Sequence, residues 1–255
     1  MLRSLLAATA LAAVSFPALA FGPQDYTARG VTVDGVVGTL DVTVTPGSGP
    51  VTVAISGPQA RIDRVRVRQD GDRVVLEQDN SDRRTWRDSD RDLWIAVKVT
   101  LPAGSGLSVE DFIGEGRVGD LRGPLAVEDM TSGTLTVGDV TTASLDVSGS
   151  GDITVGAISG DLAVDINGSG KVKTGAAAGA VTLEIDGSGD IEIASVSGPV
   201  AAEINGSGDI ALRGGRADPL SVSISGSGDL TLDGTAGSQS IRQSGSGKVT
   251  ITGRR

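Results

Sequence analysis

Cysteine and histidine are both absent from the 255 residues. Without histidine there is no serine–histidine triad, no imidazole base and no nitrogen ligand of the kind zinc usually takes. Without cysteine there is no disulfide, no thiol nucleophile, no sulfur-ligated metal and no lipid-modified cysteine. Any metal would need an all-oxygen site, which points to calcium or magnesium. Aromatic residues make up only 2% of the chain, too few for the stacking platforms that bind sugars or bases. Basic residues are outnumbered 22 to 32 by acids, a formal charge of −10. That balance argues against nucleic acid and against anionic membrane surfaces as partners.

The one long apolar run lies at the start. Met1-Leu2-Arg3-Ser4 is followed by the apolar stretch Leu5 to Pro17 and then Ala18-Leu19-Ala20. An early positive charge, a short apolar core and an A-x-A ending are the marks of a secretory signal peptide, expected over residues 1–20. Cleavage after Ala20 would remove Arg3 and leave a mature chain of charge −11 beginning at Phe21. No later stretch approaches the ~18 consecutive apolar residues of a membrane span, so no integral membrane segment is expected.

What the chain has in quantity is glycine, 38 residues. Six Gly-Ser-Gly triplets begin at Gly149, Gly168, Gly187, Gly206, Gly226 and Gly245, in steps of 19, 19, 19, 20 and 19 residues. A fixed period of this size marks a solenoid, each repeat one coil stacked on the last. Two, four and six places before the first glycine, and four and six after it, the positions alternate apolar and polar. The column Val147, Ile166, Ile185, Ile204, Ile224 precedes the corner, and Ile153, Val172, Ile191, Ile210, Leu230, Val249 follows it. Alternation on both sides of a glycine corner predicts two half-buried strands per coil. Looser echoes at Leu107-Ser108-Val109 and Leu125-Ala126-Val127 extend the count to about eight coils. The expected fold is all-β: a parallel β-helix of 19-residue coils over residues 105–255, with a β-rich N-terminal cap over 21–104. Within that cap, residues 22–60 read as short strands of a β-meander, and Asp70-Gly71 reads as a hairpin turn. Residues 61–92 carry nine arginines and nine acids, and Asp79 to Asp92 read as a solvated loop holding Arg83, Arg84, Trp86, Arg87 and Arg91.

Two columns could carry chemistry. The residue after each Gly-Ser-Gly is Asp152, Lys171, Asp190, Asp209, Asp229 and Lys248. Three places before each triplet stand Asp146, Asp165, Glu184, Glu203, Ser223 and Arg242. Stacked in register at ~4.8 Å, the aspartates would repel one another unless a cation sat among them. Calcium-binding nonapeptide repeats provide the comparison. The period here is different, however, and Lys171 and Lys248 interrupt the aspartate column, reading as built-in counter-charges. The expectation is no metal site, no cofactor, and no catalytic or cofactor-binding residue. Paired carboxylates could still serve a carbohydrate-active lyase or glycosidase on a β-helix. Such active sites break the repeat locally, whereas these acids follow it.

A family resemblance joins these features. The order is a signal peptide, Val31-Thr32-Val33 and Gly38-Thr39-Leu40-Asp41-Val42, then Val65-Arg66-Val67 with Gly71-Asp72-Arg73-Val74-Val75-Leu76, then Val97-Lys98-Val99-Thr100-Leu101-Pro102 and the Gly-Ser-Gly-Asp coils. It resembles the bacterial auto-transporter adhesin head (GIN) domain and related β-helical domains of unknown function. The resemblance implies a β-helical fold, an exported periplasmic or extracellular protein, an adhesive role and no catalytic residues. The expected partners are envelope protein or polysaccharide. The expected state is a monomer, because Gln239 and Gln243 replace Leu220 and Ile224 in the last coil and blunt its edge.

Overall fold

A computed structural model describes residues 19–80 and 91–253. It is 65% strand and 3% helix, a β-solenoid of about eight turns at a spacing of ~19 residues. The signal-peptide reading over residues 1–20 falls almost entirely outside the described residues, as do Arg83, Arg84, Trp86 and Arg87.

The regular coils form as the alternation predicts. On one side of the rod, Ala143–Val147, Leu162–Gly168 and Val181–Gly187 pair in parallel, residue for residue, and the ladder continues through Val200 to Gly206, then Leu220 to Gly226, to Gln239–Gly245. On the next side, Asp152–Val155, Lys171–Ala177 and Asp190–Gly206 continue to Ile210–Leu212, Leu230–Leu232 and Val249–Ile251. A third, shorter side closes the coil through Val140, Ile158, Ala177 and Val196. Every second side chain points inward. Val147, Ile166, Ile185 and Ile204 are all fully buried, one above another.

The corners explain why glycine recurs. The serine N–H of each triplet donates to a glycine carbonyl one coil back: Ser188 to Gly168 at 2.9 Å, Ser207 to Gly187 at 2.8 Å, Ser227 to Gly206 at 2.8 Å. The hydrogen-bond ladder thus passes through the bend instead of stopping at it. Gly187 and Gly206 have φ of 146° and 152°, and a Cβ on either would lie inside contact distance of the preceding glycine's carbonyl oxygen. Both the backbone angle and the close approach exclude other residues. In the earlier coils, which lack the triplet, Asp111 and Asp129 turn the corner at positive φ, and the fully buried Phe112 and Met130 fill it.

The N-terminal region departs from the expected meander. Gly30–Asp34 and Val37–Thr45 do not pair with each other. They are two sides of a solenoid coil, parallel to Gly106–Glu110 and Ile113–Val118. On their other edge lie Arg73–Gln78 and Ile95–Pro102, also parallel. The coil formed later in sequence therefore sits outside the coil formed first. Gly38 decides this, because it occupies the same stacked corner position as Gly114 and Gly133. Antiparallel strands then close this end. Val65–Asp70 pairs with Arg73–Gln78 around the expected Asp70-Gly71 hairpin, and Val51–Ser56 lies between Ile95–Pro102 and Leu19–Tyr26. The ladders cross residue 104 without a break. At the other end, Gln239–Gly245 is exposed throughout, and Ile241 is 40% exposed.

This packing makes Ile185 a sensitive position. Ile185→Ala should lower the unfolding free energy by roughly 2–5 kcal/mol. Ile185→Asp should abolish cooperative melting by burying an unpaired charge. A melting curve for Ile185→Asp that superimposes on wild type would show that the inward register is wrong.

Candidate functional surface

The column after the corners is a structural clip. Asp209 Oδ1 accepts the Asp229 N–H at 2.8 Å, and Asp229 Oδ1 accepts the Lys248 N–H at 2.8 Å. The corresponding Asp190–Asp209 contact is longer, 3.4 Å. Each aspartate thereby holds the backbone of the next coil just past the corner. Aspartates at another corner act in the same way: Asp139 Oδ1 accepts from Ala157 N–H and Asp161 Oδ1 from Ala180 N–H, both at 2.8 Å. Of the two lysines in the first column, Lys171 is placed as a counter-charge. Lys171 Nζ lies 3.6 Å from Asp190, and Lys173 Nζ 3.8 Å from Glu192. Arg213 reaches both Glu192 at 3.1 Å and Asp233 at 3.9 Å. Bonding to Arg213 holds the Glu192 carboxyl below the usual glutamate range, and bonding to Arg216 does the same for Asp218 among aspartates. These exposed pairs set cations among the acids of this face but contribute little to stability.

The second column is different in kind and longer than the sequence pattern revealed. Glu77 pairs with Asp34, Asp34 with Glu110, and Glu110 with Glu128. Glu128 sits beside Asp146, which pairs with Asp165, then Glu184, then Glu203. Carboxylates from eight successive strands therefore run along one face. Arginines close the line at both ends: Arg66 opposite Glu77, and Arg242 after Ser223. Sequence reading found only the four acids that precede Gly-Ser-Gly triplets. The other four belong to coils without the triplet, and the swapped order of the first coils hides Glu77 and Asp34.

In the middle of this ladder the acids crowd. Asp146, Asp165 and Glu184 line a shallow cleft with Glu128 and Asp129, and no Lys or Arg is among its lining residues. Partial burial, then the charges of Asp165, Asp129 and Glu128, push the Asp146 carboxyl above the usual aspartate range. Burial and Asp186 do the same to Asp165. Glu184 is raised by burial, Asp165, Asp186 and Glu203. Asp146 Oδ1 is shielded from solvent, with no hydrogen-bond donor in reach among the described residues. Asn167 donates to Asp165 Oδ1 at 3.0 Å.

The remaining features are quieter. Arg91, in the single 3-10 turn Arg91–Leu93, pairs with Glu115 at 2.7 Å and stacks 4.9 Å from the Trp94 ring centre. An open groove near the capped end is lined by Arg29, Asp72, Pro50, Pro102, Ala103 and Ser105, with no pair of facing carboxylates. Among the described residues, no group of three or more carboxylates is placed to hold one metal ion. No described helix is long and apolar enough to cross a membrane.

The sequence matches the family described as "Putative auto-transporter adhesin, head GIN domain" over residues 32–216 and again over 200–253. The chain belongs to this family. No curated protein matches by sequence. Among solved structures, a putative adhesin from Parabacteroides distasonis is similar at 19% identity and a TM-score of 0.58, covering 92% of this chain and 98% of its own. A putative adhesin from Bacteroides fragilis gives 18%, 0.58, 92% and 98% for the same quantities. A putative lipid binding protein from Parabacteroides distasonis gives 15%, 0.60, 91% and 98%. At these identities the likeness shows a common fold. The second family match, over 200–253, falls on coils of the same 19-residue pattern.

If the aspartate column is a backbone clip, calcium or a chelator should leave the melting temperature unchanged. Asp209→Ala should cost about 0.5–1.5 kcal/mol, since the exposed Asp229 N–H loses its carboxylate acceptor, and Asp209→Asn should cost less, because the amide oxygen can still accept. A calcium-dependent rise in melting temperature that grows logarithmically with concentration would mean that the column binds the ion.

Proposed function

We propose that this chain is an exported, non-enzymatic, adhesin-like binding module of the bacterial envelope, acting as a monomeric rod. The carrying observation is the match to the adhesin head family over most of the chain. The surface agrees with it. The carboxylates recur with the coil period and line a face, as expected of a binding or structural surface, whereas a hydrolase concentrates two acids in a cleft that interrupts the repeat. Nothing on the described surface favours the carbohydrate-active alternative. At 15% identity, the similarity to a protein called lipid binding shows a common fold and carries no ligand to this chain. The only large apolar side chains exposed among the described residues are Leu93 and Ile241, on separate parts of the rod. The location follows from the leader-like first twenty residues. Envelope protein and polysaccharide are the partner classes that a long, polar, repetitive face suits.

The decisive experiment fractionates cells expressing the full chain, then offers immobilised residues 21–255 to envelope preparations and purified polysaccharides. Processing after Ala20, recovery outside the cytoplasm and saturable retention of an envelope component are expected. Cytoplasmic recovery, or release of new reducing ends from a polysaccharide, would overturn the proposal.

The oligomeric state has its own test. The last coil covers Leu220, Ile224, Leu230 and Leu232, all essentially buried, with the exposed residues Gln239 and Gln243 at the free edge. Removing residues 238–255 should produce dimers or aggregates in light scattering, while the full chain stays monomeric. A truncated protein that remains monomeric and soluble would show that the last coil is no cap.

A further inference from the structure

The middle of the acidic ladder sets like charges one coil apart with no Lys or Arg among them. Two unit charges in water repel by more than RT when closer than about 7 Å. Parallel strands set neighbouring carboxylates about 4.8 Å apart at the backbone. Asp165 therefore has Asp146 and Glu184 as its ladder neighbours, one coil away on either side. The flanking groups add to the repulsion. Asp129 and Glu128 face Asp146, Asp186 faces both Asp165 and Glu184, and Glu203 faces Glu184. The arginines of this column stand only at its ends, Arg66 and Arg242. On the neighbouring face the same problem is met with Lys171, Lys173 and Arg213. In the middle of the ladder Asn167 donates to Asp165, and the further relief available is a proton.

We propose that Asp146, Asp165 and Glu184 form a proton-sharing unit through which mild acidification stabilises the central coils and removes charge from this face of the rod. A proton placed between two neighbouring carboxyls turns one into a donor and the other into its acceptor. That replaces repulsion between coils with a hydrogen bond that ties them. Asp146 Oδ1, shielded and without a donor, is the oxygen that gains most. The face then changes from a line of fixed negative charge to a less charged, hydrogen-bonding edge. The unit does not depend on what the rod binds.

The sign of the effect is set by linkage. Burial and like charges raise these carboxyls in the folded chain. The folded state therefore holds more protons than the unfolded one between the ordinary carboxylate value, about 4, and the raised value. The stabilisation is complete below about 4 and is lost as pH rises through the raised values. Glu192 and Asp218 work in the opposite sense, because their carboxyls are lowered by Arg213 and Arg216. The total pH profile therefore mixes both signs, and a difference measurement isolates the ladder.

The test compares the full mature chain with a double variant, Asp165→Asn with Glu184→Gln, by thermal melting from pH 4 to 7.5. The variant removes two charges without changing shape. It should melt about 2–4 °C above wild type at pH 7.5, and the advantage should vanish or reverse near pH 4. Equal melting temperatures across the range would overturn the proposal. Should the variant not fold, carboxyl-carbon NMR of the wild-type chain decides instead. Asp146, Asp165 and Glu184 should titrate above the ordinary range in coupled steps, and independent titrations at ordinary values would overturn the proposal.

Discussion

Every feature of this rod depends on how closely one corner can sit on the next. Parallel strands pair only at a spacing near 4.8 Å, and a coil must hold that spacing through its bends as well as along its straight sides. The Gly-Ser-Gly corner does so because its backbone is bare. The serine N–H reaches the glycine carbonyl below, and a methyl group at Gly187 or Gly206 would collide with that same carbonyl. A bulkier corner would splay the coils and break both adjoining ladders. The early coils reach the same end by another route, with Asp111 and Asp129 in the left-handed region and Phe112 and Met130 plugging the interior.

Exact register has a chemical consequence. A residue chosen once per coil becomes a line of residues along the rod. For apolar side chains the result is the continuous core from Val31 to Ala236. For charged side chains it brings like charges together, and the two faces answer differently. One turns aspartates into acceptors for backbone N–H groups and sets lysines and arginines among the acids. The other carries acids from Glu77 to Glu203 and places arginines only at the limits of the line. A one-residue slip would bury the charges and expose the core, so hydrophobic stacking enforces even the unfavourable column.

The two ends of the rod also differ. Antiparallel strands cover the N-terminal end, where Val65–Asp70 and Val51–Ser56 pair with the outermost coils. The C-terminal end keeps a parallel edge and relies on polar side chains along it. Between the ends the described surface is long and repetitive.

The sequence by itself determined the coil. Alternation around glycines spaced by 19 residues leaves no other way to bury Ile166, Ile185 and Ile204 together, because period-two strands and a fixed repeat admit only stacking. It also determined the register of the columns and the counter-charge role of Lys171. What only the tertiary structure decided is where non-repetitive segments enter the stack. Residues 30–45 look like neighbouring hairpin strands, since Gly35 and Gly38 between them are as good a turn signal as a coil corner. Their parallel partners begin at Arg73, Ile95, Gly106 and Ile113, far along the chain, and short-range pattern carries no information about a pairing that distant. The same limit hid half of the acidic ladder. Glu110 and Glu128 lie in coils without the triplet, and Glu77 and Asp34 join them only because the first coils stack in an order that differs from the order of synthesis.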